Sequence, residues 1–481
     1  MTLTFCVLWL TFSAFGQNKK YYFEQGMAYF KKGHYAQAIT NFNQVLKQTP
    51  IAEVYMNRGI AHERLGNYEQ ALDDYENAKI NDKKKKLNKK YHYNSANVYV
   101  ALEEYQEAIK HYTTIIKRYD RQDYKVYFNR GIAWQGLKLN LRALKDYQTV
   151  IRINRNFKQA YLQKGEILQG MGKTDEALAD YNKAIQLDAT YVQAYLKRAN
   201  LYQNRGKISE ALTDYNMVLK LQPKNVIALH ARARLFLADK QLEGALQDYS
   251  TLIQINSKDI RALHKRAFIY MQTEKLPEAH QDYSAILTNE PNDLMARMNR
   301  GILNRILKHY PEAIADLTKF MQSGNKEEKV FLNRALAYRK LGKNMEALRD
   351  YDSLIQRNPK QADYYNNRGF VKMKLQKYAE AVQDFDKAIK LNPQFGYAYN
   401  NRGRAKYHLK NYRPALDDCY EALKYNQKNA FCLHNIGLIK WAMGQEQEAL
   451  VMFNQALAII PNNTEFQQSK SKLKSKLNKN D

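Results

Sequence analysis

Three cysteines in 481 residues cannot build a disulfide framework, and none stands in a CxxC pair of the metal-binding kind. Cys6 falls in the N-terminal apolar stretch, which leaves Cys419 and Cys432 as the thiols of the remaining chain. Nine prolines are too few for a proline-rich, extended polymer, and they leave long stretches free to be helical. The ten histidines form no HExxH, and neither a GxxxxGK phosphate loop nor a GxSxG nucleophile turn occurs. The sequence therefore predicts no enzyme, no metal site and no cofactor. After the first fifteen residues no apolar run approaches the ~18 residues that a membrane helix needs, so no transmembrane span is predicted. Acidic residues are also short: 48 Asp and Glu face 76 Lys and Arg, a formal net charge of +28. Such a balance is compatible with an anionic partner, and it also keeps a long open surface soluble.

Residues 1–16 read as an export signal. The segment is apolar from Met1 to Phe15, and Ala14 and Gly16 are small residues suited to cleavage before Gln17. No Lys or Arg precedes its apolar core, which departs from the usual pattern. Export to a bacterial periplasm or cell envelope is the expectation. If the segment is not a signal, the chain belongs in the cytoplasm.

What the sequence has in abundance is repetition. Aligned to itself, it shows a glycine or alanine at Gly26, Gly59, Ala96, Gly131 and Gly165, then every 34 residues to Gly437. Twelve residues after each stands an alanine, from Ala38 to Ala449, without exception in thirteen units. Four residues further on is a large side chain, usually Tyr or Phe, such as Tyr75, Tyr147 and Phe385. We number each unit so that the first small residue is position 8 and the alanine position 20; the large residue is then position 24. Two small positions let antiparallel helices approach closely while the ring fills the space beside them. Prolines at position 32, such as Pro359 and Pro393, end the second helix. Glycines such as Gly172 and Gly342 cap the first.

This pattern resembles the tetratricopeptide repeat family, whose unit is a 34-residue helix–turn–helix. The resemblance covers residues 19–461 and implies an all-α fold, a right-handed superhelical α-solenoid of about thirteen repeats. Residues 462–481 form a polar, Lys-rich tail. Its first part is expected to be a capping helix and its end disordered. Asp82–Lys90, with six lysines and the additional residues of one long repeat, is expected to be an extended basic loop.

One correlation within the chain points to contact. Position 7 is Arg or Lys in ten repeats and position 23 is Asp in the same ten, for example Arg334 with Asp350. The other three repeats carry neither charge: Gln25 with Asn41, Ser95 with His111, and Ile436 with Met452. These pairs are expected to bridge the two helices of a repeat rather than to bind ligand.

The resemblance also implies a concave groove lined by positions 2, 5, 6, 9, 12 and 13 of the first helices. At position 6 the last five repeats carry Asn299, Asn333, Asn367, Asn401 and Asn435. Such a ladder of amides can grip an extended peptide backbone without reading its sequence. It is similar to the ladder lining the repeats of O-linked N-acetylglucosamine transferases. The reading takes position 6 as solvent-facing. Mid-chain, the same lining positions give a basic zone of Lys197, His230, Arg234, Arg261, His264 and Lys265, suited to carboxylate or phosphate. The dicarboxylate clamp of chaperone-binding relatives is absent, since the positions that would partner Asn97 and Asn129 hold Tyr93, Gln159 and Gln163.

Two functions follow. The first is a non-catalytic scaffold that binds proteins or extended peptides in its groove. The alternative is a polyanion-binding adaptor for nucleic acid, anionic glycan or membrane surface. The sequence lacks the interleaved aromatic and basic residues of a single-strand binder, which disfavours the latter.

Overall fold

The computed structural model describes residues 18–480, so the proposed signal segment lies outside the described residues. Those residues form 27 helices and no strand. They divide into two compact units, one ending at Leu235 and the other beginning at Phe236. Within each unit consecutive helices pack as antiparallel pairs, one pair per 34-residue repeat. Repeat ten, for example, comprises a first helix Glu328–Lys340 and a second helix Asn344–Arg357.

The spacing within a pair is set at position 8. A Cβ built on Gly369 would lie 2.7 Å from the Phe385 ring, and one on Gly59 would lie 2.6 Å from the Tyr75 ring. The ring of position 24 packs against this small residue, and Leu317 and Cys419 take its place in repeats nine and twelve. Position 20 is fully buried in all thirteen repeats, from Ala38 to Ala449. Tyr75, Tyr147, Tyr181, Tyr351 and Phe385 are among the largest fully buried side chains. No repeat buries its outer face alone, and the clusters run from one repeat into the next. Tyr351 and Leu354 of repeat ten pack with Tyr364 and Val371 of repeat eleven.

The charge pairs form. Nine of the ten lie within one unit and close at 2.5–2.9 Å, with the aspartates buried. Arg334 shows the usual geometry. Its Nε and one Nη donate to the two Asp350 oxygens at 2.9 and 2.7 Å. Its other Nη reaches back to the second helix of the preceding repeat and donates to Thr318 Oγ1 at 3.0 Å. The same backward bond runs from Arg198 to Asn182, from Arg232 to Asn216 and from Arg402 to Asp386. All these acceptors occupy position 25. One guanidinium therefore ties three helices in two repeats. A lysine cannot do this: Lys164 touches one oxygen of Asp180 at 2.9 Å, and the other oxygen is buried without a partner. Repeat three has no such fork. There an aromatic cluster takes its place, with His111 against Tyr91, His92 and Tyr99 at 5.0–5.5 Å.

The turn joining the two helices of a repeat has a left-handed residue at position 15 in every repeat. Six of these are glycine, including Gly342 at φ +72. Seven are Lys, Glu or Gln, including Lys308 at φ +67 and Lys410 at φ +66. The glycines were visible in the sequence as caps. The other seven show that the helix pairing imposes the turn even on residues with a Cβ.

Two local expectations are revised. The basic loop is shorter than Asp82–Lys90: the preceding helix ends at Asn81 and the next starts at Asn88. Asp82 accepts from the Leu87 amide, and Lys89 pairs with Asp120 and Asp123 at 2.9 and 3.2 Å, which folds the end of the basic run into helix. The tail is helical over Thr464–Asn480, where a disordered end was expected. Phe466 and Leu473 are fully buried against the last repeat, which gives the helix an apolar side to dock. Cys419 and Cys432 are free and buried, and the Cys432 thiol donates to the Cys419 carbonyl at 3.0 Å.

Two predictions follow from this packing. Asp350→Ala strands a half-buried guanidinium and should cost about 3–5 kcal/mol, and Arg334→Ala a similar amount, with the double variant well short of the sum. Thr318→Val, which removes only the backward bond, should cost about 1 kcal/mol. Urea unfolding of the full chain, with hydrogen exchange at repeat ten, measures these changes, and additivity would mean that the groups act independently. Lys308→Gly and Lys410→Gly relieve a left-handed Cβ and should each raise stability by roughly 0.5–1 kcal/mol, read by the same unfolding curves.

Candidate functional site

The five ladder asparagines do not form a row of free amides. Asn299 donates to Tyr283 Oη at 3.1 Å. Asn333 accepts from Arg305 Nε at 2.5 Å and donates to the Lys329 carbonyl at 2.6 Å. Asn367 accepts from Arg339 at 3.0 Å. Asn401 donates to Asn366 Oδ1 at 3.0 Å, and Asn435 donates to Asn400 Oδ1 at 2.9 Å. Two rules emerge. An Arg at position 12 holds the position-6 amide of the next repeat, and an Asn at position 5 accepts from the position-6 amide of the next repeat. Position 6 is not solvent-facing throughout. Four of the five are half-buried, and Asn435 is only 2% exposed. The residue types at positions 5 and 12 carried the signal for these bonds, but their effect on exposure depends on the repeat-to-repeat stacking.

Three of the five asparagines meet in one cavity of about 620 Å³ lined by the first helices of repeats ten to thirteen. Asn367, Asn401 and Asn435 contribute amides there, together with Asn366 and Asn400. Asn299 and Asn333 lie outside it. Phe370, Tyr397 and Phe431 supply aromatic wall, with Tyr397 and Phe431 about half exposed. Arg339 lies over the Phe370 ring at 5.2 Å and Lys374 over it at 5.6 Å. The cavity thus combines hydrogen-bonding groups of both senses with flat apolar surface and fixed positive charge.

The terminal helix Thr464–Asn480 reaches this cavity, which the sequence did not reveal. Glu465 enters the lining and accepts from Arg404 at 2.7 Å. Burial opposes ionisation of Glu465, but Arg404, then His434 and Lys374, outweigh it and hold its pKa below the ordinary value. Phe466 stacks on His434 with ring centres 4.4 Å apart, and His434 Nε2 bonds Ser469 Oγ at 2.9 Å. Burial lowers the His434 pKa to about 4, with Glu465 opposing and Arg404 adding to the shift.

The basic zone is less basic than its composition implies. Lys197 pairs with Glu166 at 2.7 Å, and His264 with Asp293 at 2.7 Å. Arg234, Arg261 and Lys265 are exposed and His230 is half-buried. Lys197, His230 and Arg234 belong to the first unit, and Arg261, His264 and Lys265 to the second. Among the described residues no group of three His, Cys, Asp or Glu side chains is placed to hold a metal ion. Among them, too, no helix is long and apolar enough to cross a membrane.

Helix pairs stacked one per repeat define an α-helical repeat array, the architecture of protein-interaction scaffolds. Tetratricopeptide repeat models match residues 23–84, 93–156, 192–225, 362–395 and 432–463, and a further TPR repeat model matches 167–206 and 335–376. The chain belongs to the tetratricopeptide repeat family. Comparison with curated proteins gives no significant match. Among solved structures, the chain is similar to one from the Cut9–Hcn1 hetero-tetramer of the APC/C, at 17% identity, covering 95% of this chain and 96% of that one, with a TM-score of 0.39. A tetratricopeptide repeat protein from Parabacteroides merdae is 25% identical over 53% of this chain and 97% of its own, with a TM-score of 0.33. YrrB, described as a TPR protein with an unusual peptide-binding site, is 24% identical over 40% of this chain and 97% of its own, also with a TM-score of 0.33.

The buried histidine makes the docking of the terminal helix pH-dependent. The unfolded chain protonates His434 near its ordinary value of 6.5, whereas the folded chain resists until about 4. Between these values the unfolded state binds more protons, so stability rises with pH. The contribution is complete above about 6.5 and is lost progressively as pH falls toward about 4. Hydrogen exchange over 464–480 should accelerate across that window, and His434→Gln should flatten the dependence.

Proposed function

We propose that this protein is a non-catalytic interaction scaffold that binds an extended protein segment in the cavity of repeats ten to thirteen. The observation that carries this reading is the cavity itself. Five asparagine amides, three aromatic side chains and three cations converge there on the first helices of four successive repeats. An extended backbone has a donor and an acceptor at each residue, and amides on successive first helices can meet such groups at intervals along it. Asn367 and Asn401 are the half-buried members suited to exchange an internal partner for a ligand backbone. Asn435 is buried beneath them and serves the wall. Exported localisation, with the mature chain starting near Gln17, is part of the proposal and rests on the composition of residues 1–16.

The test separates binding from architecture. Asn367→Ala with Asn401→Ala should weaken capture of the native partner by roughly 10-fold, since each lost hydrogen bond costs about 0.5–1.5 kcal/mol, and should leave the helical content unchanged. Asn435→Ala should instead lower stability by about 1–3 kcal/mol, because it strands the buried Asn400 acceptor. Partner capture followed by quantitative crosslinking from positions 367 and 401 reads the first effect, and thermal unfolding reads the second. Capture that is unchanged in the double variant but collapses steeply with salt would favour polyanion binding instead.

A further inference from the structure

Arg404 differs from the arginines that hold the array together. A position-7 arginine such as Arg402 or Arg368 engages both oxygens of its aspartate and a third acceptor one repeat back. Arg404 sits at position 9 on the same helix as Arg402 but faces the cavity. It donates from a single Nη to a single oxygen of Glu465 at 2.7 Å. The guanidinium fork is suited to two parallel bonds with one carboxylate, and here half of it is used. The Glu465 side chain is itself half exposed in this ion pair. It stands in the first turn of a helix that docks through Phe466 and Leu473, neither of which depends on the carboxylate.

The charges around this pair are unbalanced. Arg339, Lys374 and Arg404 line the cavity, and Glu465 is the carboxylate that faces them. Arg339 and Lys374 flank the Phe370 ring, so an acidic segment laid there would meet two cations beside an aromatic plate. The chain has thus placed one of its own carboxylates where a ligand carboxylate would bind best.

We propose that the cavity of repeats ten to thirteen selects an acidic peptide segment whose carboxylate takes Arg404 in a two-pronged contact, and that Glu465 of the terminal helix is the intramolecular competitor that the ligand displaces. This inference rests on the peptide-groove reading above and adds the chemistry of the partner. It also gives the terminal helix a second role, as a gate on affinity as well as a cover for the last repeat. Swinging Glu465 aside requires only rotation of its side chain, because Phe466 and Ser469 anchor the helix independently. The resident carboxylate keeps Arg404 neutralised when no ligand is present and suppresses weak attraction of unrelated anions.

The experiment uses the full chain and fluorescein-labelled Gly/Ser peptides containing one tyrosine. One peptide carries two glutamates, a second carries glutamines in their place, and both have amidated C-termini. A third repeats the glutamine peptide with a free C-terminus, to distinguish side-chain from terminal carboxylate. Binding is followed by fluorescence anisotropy at fixed ionic strength. The acidic peptide should bind more tightly than its glutamine counterpart. Arg404→Gln should weaken its binding by about 10-fold, the scale of a lost hydrogen bond to a charged group, with little effect on the glutamine peptide. Arg404→Lys should restore part of the preference. Glu465→Gln should strengthen acidic-peptide binding several-fold, and melting curves of each variant establish that the array is intact. Equal binding of all peptides, weakened by Asn367→Ala with Asn401→Ala, would leave the groove reading standing and overturn the carboxylate site. An acidic preference that survives Arg404→Gln would assign the effect to diffuse charge and overturn it too. No gain on Glu465→Gln would overturn the competition. Binding of no peptide would sink the groove reading and this inference together.

Discussion

A large side chain, in most repeats a ring, pressed against a small residue of the facing helix fixes the distance between the two helices of a repeat, and the rest of the structure follows from that distance. At position 8 there is no room for more than a small residue, since even a Cβ on Gly131 would lie 2.6 Å from Tyr147. With the helices that close, position 7 and position 23 fall opposite one another at the edge of the contact, where a guanidinium can meet a carboxylate in two parallel bonds. The same closeness dictates the turn, which must pass through a left-handed residue whether or not glycine is present. Packing therefore overrides local preference at seven of the thirteen turns. Such arrays behave as a chain of nearest-neighbour contacts, in which each unit is stabilised mainly by the units on either side.

The parts of the molecule that recur were legible in the sequence, because thirteen copies serve as their own controls. The small residues, the buried ring and the charge pair all appear as columns, and the pairing of Arg334 with Asp350 could be inferred because repeats lacking one lacked the other. A further column was equally available. Wherever position 7 is arginine, position 25 of the preceding repeat is Asn, Thr, Ser or Asp, as at Asn43, Thr113 and Asp352. Where it is serine, lysine or isoleucine, position 25 is Glu76, Gln148 or Tyr420. That correlation crosses the repeat boundary and encodes the stacking of one repeat on the next. The half-burial of the asparagine ladder was hidden for the same reason: whether an amide points to solvent depends on what the adjacent repeat sets beside it. Asn366 and Asn400 are plain polar residues in sequence and become acceptors for Asn401 and Asn435 only in the stack.

Features that occur once had no internal comparison. The terminal helix is unlike the repeats, and nothing in its composition announced that Glu465 would reach Arg404, 61 residues earlier in the chain. Its docking surface could be guessed from Phe466, Leu473 and Leu477, whose spacing of seven and four suits one side of a helix. Its consequence for the cavity could not, because that requires the position of the last repeat in space. Solvation of an array end and occupation of a binding surface are thus combined in one short helix. The buried His434 that joins them has counterparts at position 5 in His230 and His264, but those two are half-buried, so the column does not reveal its burial.

The arginine forks are not continuous along the chain. They are absent from the first repeat, from the last, from repeat five, where Lys164 replaces the arginine, and from repeat three, where Ser95 and His111 stand in place of the charges. Both ends of a linear array lack neighbours in any case. Repeat three is interior, and there a cluster of rings in edge-to-face and tilted contact takes over from ionic links, with His92 and His111 at 5.0 Å. Such ring contacts carry no bidentate ionic link between the helices. Under a pulling force the first unit should therefore yield at repeats three and five, built-in fuses that open before its forked repeats do.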